Sequence, residues 1–283
     1  MNQPNTPRYS RDEIAGAVLR RLDPTTVATA RNDFVAMKTT QAFQVDGLLP
    51  EEMARAIYDA FPKPAEMREL KTLREHKYVA AQMNRFHPQA EEALFAFHAP
   101  EVIDRIFNIT GITELRADSR LYAGGISLMA RENFLNPHLD NSHDSDRRLY
   151  RVLNLLYYVS PAWEEANGGS LELWPDGLKG LPHVIPATFN RLVVMTTGPE
   201  SWHSVSAICT DSPRCCVSNY YFSPAPPGTV PYFRVTTFRG RPEQPLRDLV
   251  LRVDARLRQL VRKVKPQGIA PVTHIYDQGK KSQ

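Results

Sequence analysis

Asn136-Pro137-His138-Leu139-Asp140 and, sixty-five residues on, Ser201-Trp202-His203-Ser204-Val205 decide how this chain reads. In an extended segment, residues two apart face the same side. His138 and Asp140 therefore offer one nitrogen and one oxygen to a single point. His203, on another expected strand, adds a second imidazole. Three such donors hold a metal ion on one side and leave its other side open, whereas a structural site is closed by four ligands.

Both motifs lie in β-like sequence. From about Ile112, short apolar segments alternate with turn residues, at 119–129, 149–159, 169–174, 191–197, 202–208 and 214–223. They are rich in Val, Tyr, Leu and Ile and are bounded by Gly, Pro, Asn and Asp, the pattern of an antiparallel sandwich or barrel. Ahead of them the chain reads as helical. Ser10 followed by Glu13 is a capping box before Ile14, Val18 and Leu19, which predicts a helix over about 11–22 that stops near Asp23-Pro24. Pro50 opens a helix with Met53, Ile57 and Phe61 on one face. A helical stretch from Pro88 carries Ala93, Leu94 and Phe97. Another from Pro100 carries Val102, Ile103, Ile106 and Phe107 and closes at Gly111. Past Pro231 the texture changes again. Pro245 starts an amphipathic helix with Leu246, Val250, Val253, Leu257, Leu260 and Val264 at steps of four and three, and with arginines on its other faces. The expected organisation is a helical layer over 1–111 integral to the same domain, a β core over 112–238, and a basic helix and tail over 239–283.

The chain has 283 residues, 42% hydrophobic and 23% charged, a composition that buries a real core and excludes disorder, collagen and coiled-coil rods. No apolar run approaches the ~18 residues that span a bilayer. The polar start, MNQPNTPRYSRDE, has no signal-peptide stretch, so a cytoplasmic location is expected. Cys209, Cys215 and Cys216 fall within eight positions, with neither a disulfide framework nor zinc spacing, and read as reduced. The net charge of +4 is uneven: from Arg239 to the end there are eleven Lys/Arg against four Asp/Glu. That concentration is too local for a nucleic-acid-binding protein.

Arg214 lies eleven residues past His203, at the head of the strand-like Arg214-Cys215-Cys216-Val217-Ser218-Asn219-Tyr220-Tyr221-Phe222. Arg214, Cys216, Ser218 and Tyr220 share one face. A cation inside an apolar strand is costly unless paired, and a guanidinium binds a carboxylate bidentately. Two histidines and a carboxylate make the facial triad of non-haem Fe(II) oxygenases. A 2-oxo acid with a second carboxylate, such as 2-oxoglutarate, has the shape to chelate that metal and reach Arg214.

With these residues in place, the stretch from about 119 to 223 resembles the catalytic core of the Fe(II)/2-oxoglutarate-dependent oxygenases, in the prolyl-4-hydroxylase-like branch. His138-x-Asp140, His203 and Arg214 match its triad and cosubstrate arginine in order and spacing. Arg151-Val-Leu-Asn-Leu-Leu-Tyr157-Tyr158, Gly168-Gly169-Ser-Leu-Glu-Leu, and Pro186 ahead of Arg191-Leu-Val-Val-Met match between them. The resemblance implies a double-stranded β-helix, or jelly roll, whose larger sheet is braced by the N-terminal helices. It implies Fe(II), 2-oxoglutarate and O2 as reactants, ascorbate as a supporting reductant, and release of succinate and CO2. Tyr158 falls where relatives place a hydroxyl on the distal carboxylate. Tyr122 and Ser218 are further cosubstrate candidates. Cys216 stands where many relatives have serine or threonine. Asp140 is retained, which argues against halogenation. The implied reaction is hydroxylation of an unactivated C–H bond in a small metabolite: an amino acid, a carrier-bound intermediate or a saccharide. Desaturation, epimerisation, cyclisation and prolyl or other protein side-chain hydroxylation are the alternatives. A jelly roll that binds ligand without turnover is the reading from another class.

Other residues carry less. His143-Asp144 is a poor chelate, and His143 reads as a loop residue at the site mouth. His183 reads as a loop histidine, and His76, His87, His98 and His274 as structural or exposed. Trp163, Trp174 and Trp202 read as core or rim, and Cys215 and Cys216 as packing on opposite faces of one strand. Arg148 and Arg151 are candidates for steering an acidic substrate. The C-terminal helix reads first as docked on the core by its apolar stripe. The alternatives are a homodimer seam or attachment to an anionic surface.

Overall fold

The first helices are set by local capping. In a computed structural model of the chain, which describes residues 6–228, 230–264 and 275–276, Ser10 caps α1 (Arg11–Arg21) in a reciprocal box with Glu13. Asp23 and Pro24 end that helix and also start the next. The Asp23 carboxylate accepts the Thr26 amide at 2.7 Å, and Pro24 takes the first position of α2 (Pro24–Ala36), which the sequence pattern missed. The expected helices at Pro50, Pro88 and Pro100 form as α3 (Glu51–Asp59), α4 (Pro88–Ala96) and α5 (Pro100–Thr110). Gly111 closes α5 in the left-handed conformation at φ 71°. Two assignments shift. Phe61 lies beyond α3, and the packed face of α5 is Val102, Ile106 and Ile109, leaving Phe107 40% exposed.

Thirteen strands form among the described residues. The N-terminal portion supplies β1 (Ala42–Asp46), β2 (Arg68–Lys71) and β3 (Glu75–Ala80). The segments from Ile112 on supply β4 (Arg116–Ala117), β5 (Gly125–Met129), β6 (Phe134–Leu139), β7 (Tyr150–Tyr158), β8 (Leu171–Leu173) and β9 (His183–Ile185). β10 (Arg191–Thr196), β11 (His203–Val205), β12 (Arg214–Ser223) and β13 (Thr237–Phe238) complete the set. Ten of them join antiparallel in the order β1-β10-β7-β12-β5-β3-β6-β11-β8-β9, with β2 on β3, β4 on β12 and β13 on β6 beside this path, a sheet curled on itself into a half-barrel of the jelly-roll kind. The N-terminal strands were not legible as strands: β2 is polar and mostly exposed, and β3 alternates weakly. Yet β3 pairs with both β5 and β6 and so bridges the two halves of the curl.

Two apolar layers hold this together. On the outer face, Ile14, Val18, Phe34, Ile57, Leu94 and Ile106 of the helices pack against strand residues including Leu153, Leu155, Tyr157, Val194 and Val217. Inside the curl, Met129, Leu135, Tyr158, Leu173, Val193, Val205 and Cys216 pack together. Cys215 and Cys216 belong to opposite layers, as their alternation requires.

The C-terminal helix, α6 (Pro245–Val264), docks the other way round from the first expectation. Its inner face is Leu251 and Ala255, fixed by ion pairs of Arg74 with Asp254 and Arg239 with Asp248, both 2.5 Å. The apolar stripe faces outward. Val264, Arg262 and Lys263 have side chains outside the described set. His183 sits on β9 rather than in a loop, and His274 lies outside the described residues. Among the described residues no helix is long and apolar enough to cross a membrane.

Burial separates the three thiols. Cys209 is exposed, whereas Cys215 is buried and its thiol is pushed up to about 12, first by desolvation. Titration of the native chain with a chromogenic disulfide at mildly alkaline pH is therefore expected to show one fast thiol, and denaturant should release the other two.

Candidate active site

Pairing of β6 with β11 sets His138 directly opposite His203. Their rings lie 4.0 Å apart, and His138 is also stacked 4.9 Å from Phe238 of β13. Each ring is held by its other nitrogen: His138 Nδ1 donates to the Asn136 carbonyl at 3.0 Å, and His203 Nδ1 to the Ser201 carbonyl at 2.9 Å. A carbonyl only accepts, so Nδ1 carries the proton and the Nε2 lone pair is free for a metal. Both Nε2 atoms point at Asp140, His138 at 3.9 Å and His203 at 3.8 Å from its two oxygens. The three ligand atoms lie within 4.8 Å of one another, and no other such group of His, Cys, Asp or Glu occurs among the described residues.

The electrostatics suit a cation. Burial, and then the neighbouring His203, hold His138 well below the ordinary imidazole range, so it is neutral at pH 7. Burial opposes ionisation of Asp140, yet the Arg151 guanidinium beside it keeps its carboxyl below the usual range. Asp140 Oδ2 is buried without a hydrogen bond. A neutral His138, with the His203 Nε2 facing the same point, beside an ionised, under-satisfied carboxylate is the donor set a divalent iron requires.

Arg214, at the head of β12, opens into the same cleft. It is 3% exposed and has no carboxylate partner among the described residues. Its Nε lacks a hydrogen bond, and its guanidinium lies 4.6 Å over the ring of Tyr158, whose buried hydroxyl is also unpartnered. Burial raises the Tyr158 phenol, which therefore stays a donor. A buried cation next to an unused hydroxyl fits a carboxylate ligand. Gly169 makes the room: at φ 68°, a Cβ there would stand 2.7 Å from Arg214 Cδ and 2.5 Å from Ile208. Gly168 is tighter still, 2.0 Å from the Ala207 carbonyl oxygen.

The cleft, about 1510 Å³, is lined by His138, Asp140, His203 and Arg214, and by the expected Tyr122 and Ser218. Tyr158 lies beneath Arg214, fully buried. His143 is at the mouth, bridged to Tyr150. Arg148 is exposed, whereas Arg151 is buried with Nη1 3.4 Å from Asp140, so it is a partner of the carboxylate rather than a surface guide. Arg151 also stacks 4.3 Å over Tyr220, which accepts from Asn154 Nδ2 at 3.2 Å. Sequence reasoning missed Asn154 and Phe238. Asn154 shares a face with Tyr158 by strand alternation, a signal that was present, whereas a register shift between β7 and β12 brings Arg151 to the same cleft. The two-residue β13 carries no periodicity at all.

Residues 124–222 match the model of the 2OG-Fe(II) oxygenase superfamily. Over that stretch the sheet core is similar to that superfamily, and the match supports a 2-oxoglutarate-dependent iron dioxygenase that uses iron and 2-oxoglutarate. Among solved structures, a prolyl-4-hydroxylase from Pseudomonas putida is 19% identical over 70% of this chain and 98% of its own, with a TM-score of 0.50. One of the prolyl 4-hydroxylases from Phytophthora capsici is 14% identical over 94% and 84%, with a TM-score of 0.54. The epimerase SnoN from nogalamycin biosynthesis is 16% identical over 71% and 84%, with a TM-score of 0.50. At these identities the likeness is one of fold. No curated protein matches the sequence significantly.

Two outcomes follow from the geometry. Arg151→Met leaves Asp140 without its cation, and metal affinity, read by Co(II) absorption, is expected to fall about 10–100-fold. Gly169→Ala crowds Arg214 and is expected to weaken 2-oxoglutarate binding while leaving that Co(II) spectrum unchanged.

Proposed function

We propose that His138, Asp140 and His203 hold Fe(II), that Arg214 and Tyr158 bind the distal carboxylate of 2-oxoglutarate, and that the enzyme hydroxylates an unactivated C–H bond of its substrate. The observation that carries this is one cleft holding both a buried three-donor cluster and a buried arginine with no acid of its own. When bound, iron with 2-oxoglutarate and O2 supplies an oxidant at the expense of the cosubstrate, which leaves as succinate and CO2.

The chain's own residues orient and shield. The Asn136 and Ser201 carbonyls fix both imidazoles, and Arg151 fixes Asp140. Arg214 neutralises the distal carboxylate from a buried position, where the ion pair is stronger than at the surface. Tyr122 and Ser218, on the cleft wall, are further cosubstrate contacts in this reading. Ascorbate would keep the iron reduced.

The cleft exceeds the ~300–1,000 Å³ typical of drug-sized ligands. It has room for the cosubstrate and for a substrate larger than a free amino acid. A carrier-bound or saccharide intermediate is the class we favour. The shared fold with prolyl 4-hydroxylases favours a peptide-borne side chain as the second reading. Three unpaired cysteines suit a reducing compartment, the cytoplasm.

The purified chain with Fe(II), ascorbate and 2-oxoglutarate is expected to release succinate, and His138→Ala or Asp140→Ala to reduce this to background. Turnover equal to wild type in either variant would remove the proposed mechanism. Arg214→Gln should cost about 2–5 kcal/mol of cosubstrate binding, seen as a KM for 2-oxoglutarate raised ~30-fold or more. Product mass distinguishes hydroxylation, a gain of one oxygen, from desaturation or cyclisation, a loss of two hydrogens, and from epimerisation, no change.

A further inference from the structure

Among the described residues, the outer face of α6 has no partner. Leu246, Leu249, Val250, Val253, Leu257 and Leu260 are each between 50 and 81% exposed. A helix normally docks by its apolar stripe; this one docks by ion pairs and by Gln259, which joins the backbone of Phe233 and Val235. The docked face is thus Leu251 and Ala255 ringed by charged and amide contacts, and six large apolar side chains are left to water along about 22 Å of helix.

We propose that this stripe is the seam of a homodimer, α6 of one copy against α6 of another. Three observations single out a second copy as the occupant. The first is spacing: Leu246, Val250, Val253, Leu257 and Leu260 recur at four and three residues, the 3.5-residue period by which two helices mesh side chains along a narrow line. The second is charge. An anionic surface would be met by free cations beside the stripe. Here Arg252 and Arg258 are held by Asp248 and Asp254, which they share with Arg239 and Arg74, and Arg247 donates to Gln244. Arg256 is the one described arginine of the helix without a partner. The third is symmetry. One apolar helix face against its own copy is self-complementary about a two-fold axis. Six such side chains fall short of the ~800 Å² per partner of a standard interface. Association is therefore reversible and depends on concentration.

The seam touches the active site. Leu257 belongs both to the stripe and to the cleft wall, next to Arg258 and Val261. A second helix over Leu257 narrows the open edge of the cleft. The dimer stands or falls independently of the proposed reaction.

Sedimentation of the full chain at tens of micromolar is the test, with expected mass twice 32.1 kDa. Val250→Glu with Val253→Glu lies outside the cleft lining and is expected to yield a 32.1 kDa species with an unchanged far-ultraviolet spectrum. Should that variant fail to fold, Val253→Cys in a Cys209→Ser background still decides. Val253 is central in the stripe and meets its own symmetry mate whether the helices run parallel or antiparallel, so mild oxidation is expected to give a covalent dimer. A monomeric wild type overturns the proposal, whether it stays free in solution or pellets with phosphatidylserine vesicles. So does a double variant that remains dimeric, or a Val253→Cys chain that does not cross-link.

Discussion

The antiparallel pairing of β6 with β11 is the constraint on which the site depends. That ladder sets His138 opposite His203 and lets the next pleat deliver Asp140 to the same point. Register is unforgiving in a sheet, because a slip of one residue turns each side chain to the other face. The curl of the sheet, the bridging role of β3 and the stacking of Phe238 on His138 all stabilise this one alignment. Neither imidazole depends on a flexible side chain for its orientation. Each is steered by a carbonyl two residues before it, so the protein's rigid backbone presets the donor geometry.

Charge is arranged around that alignment in two separate pairs. Arg151 and Asp140 form an internal pair that keeps the acid ionised in a buried setting. Among the described residues Arg214 has no such acid, although it is equally buried. A fold can tolerate an unpaired buried cation only where a ligand completes it. The contrast between the two arginines distinguishes a residue that serves the metal ligand from one that serves a bound anion. Gly168 and Gly169 belong to the same economy of space: they remove side chains where the turn presses on Ala207 and on Arg214.

Much of the site was legible because its chemistry is local. His138-x-Asp140 shares a face by strand periodicity alone, and Arg214 stands out as a cation in an apolar run. Capping made α1 legible, and Gly111 marked the end of α5. What escaped was set by distant partners. β2 and β3 are strands because they pair with each other and β3 with β5 and β6, while their own sequences are polar or weakly alternating; β1, with Phe43-Gln44-Val45-Asp46 alternating, is too short to stand out before β10 accepts it. Asp23-Pro24 was read as a stop because a stop and a start use the same residues.

The sequence by itself determined the identity of the donors, their pairwise faces and the period of the α6 stripe, since these depend on covalent spacing and on the repeat of strand or helix. Tertiary structure alone decided which segments meet. It placed the two histidines in register, turned Arg151 inward to the carboxylate, and docked α6 by its ion pairs. The last reversal has a plain cause. Periodicity reports which side chains share a face, but the direction that face takes is set by the whole surface it meets, and here Arg74 and Arg239 offered α6 a charged seat.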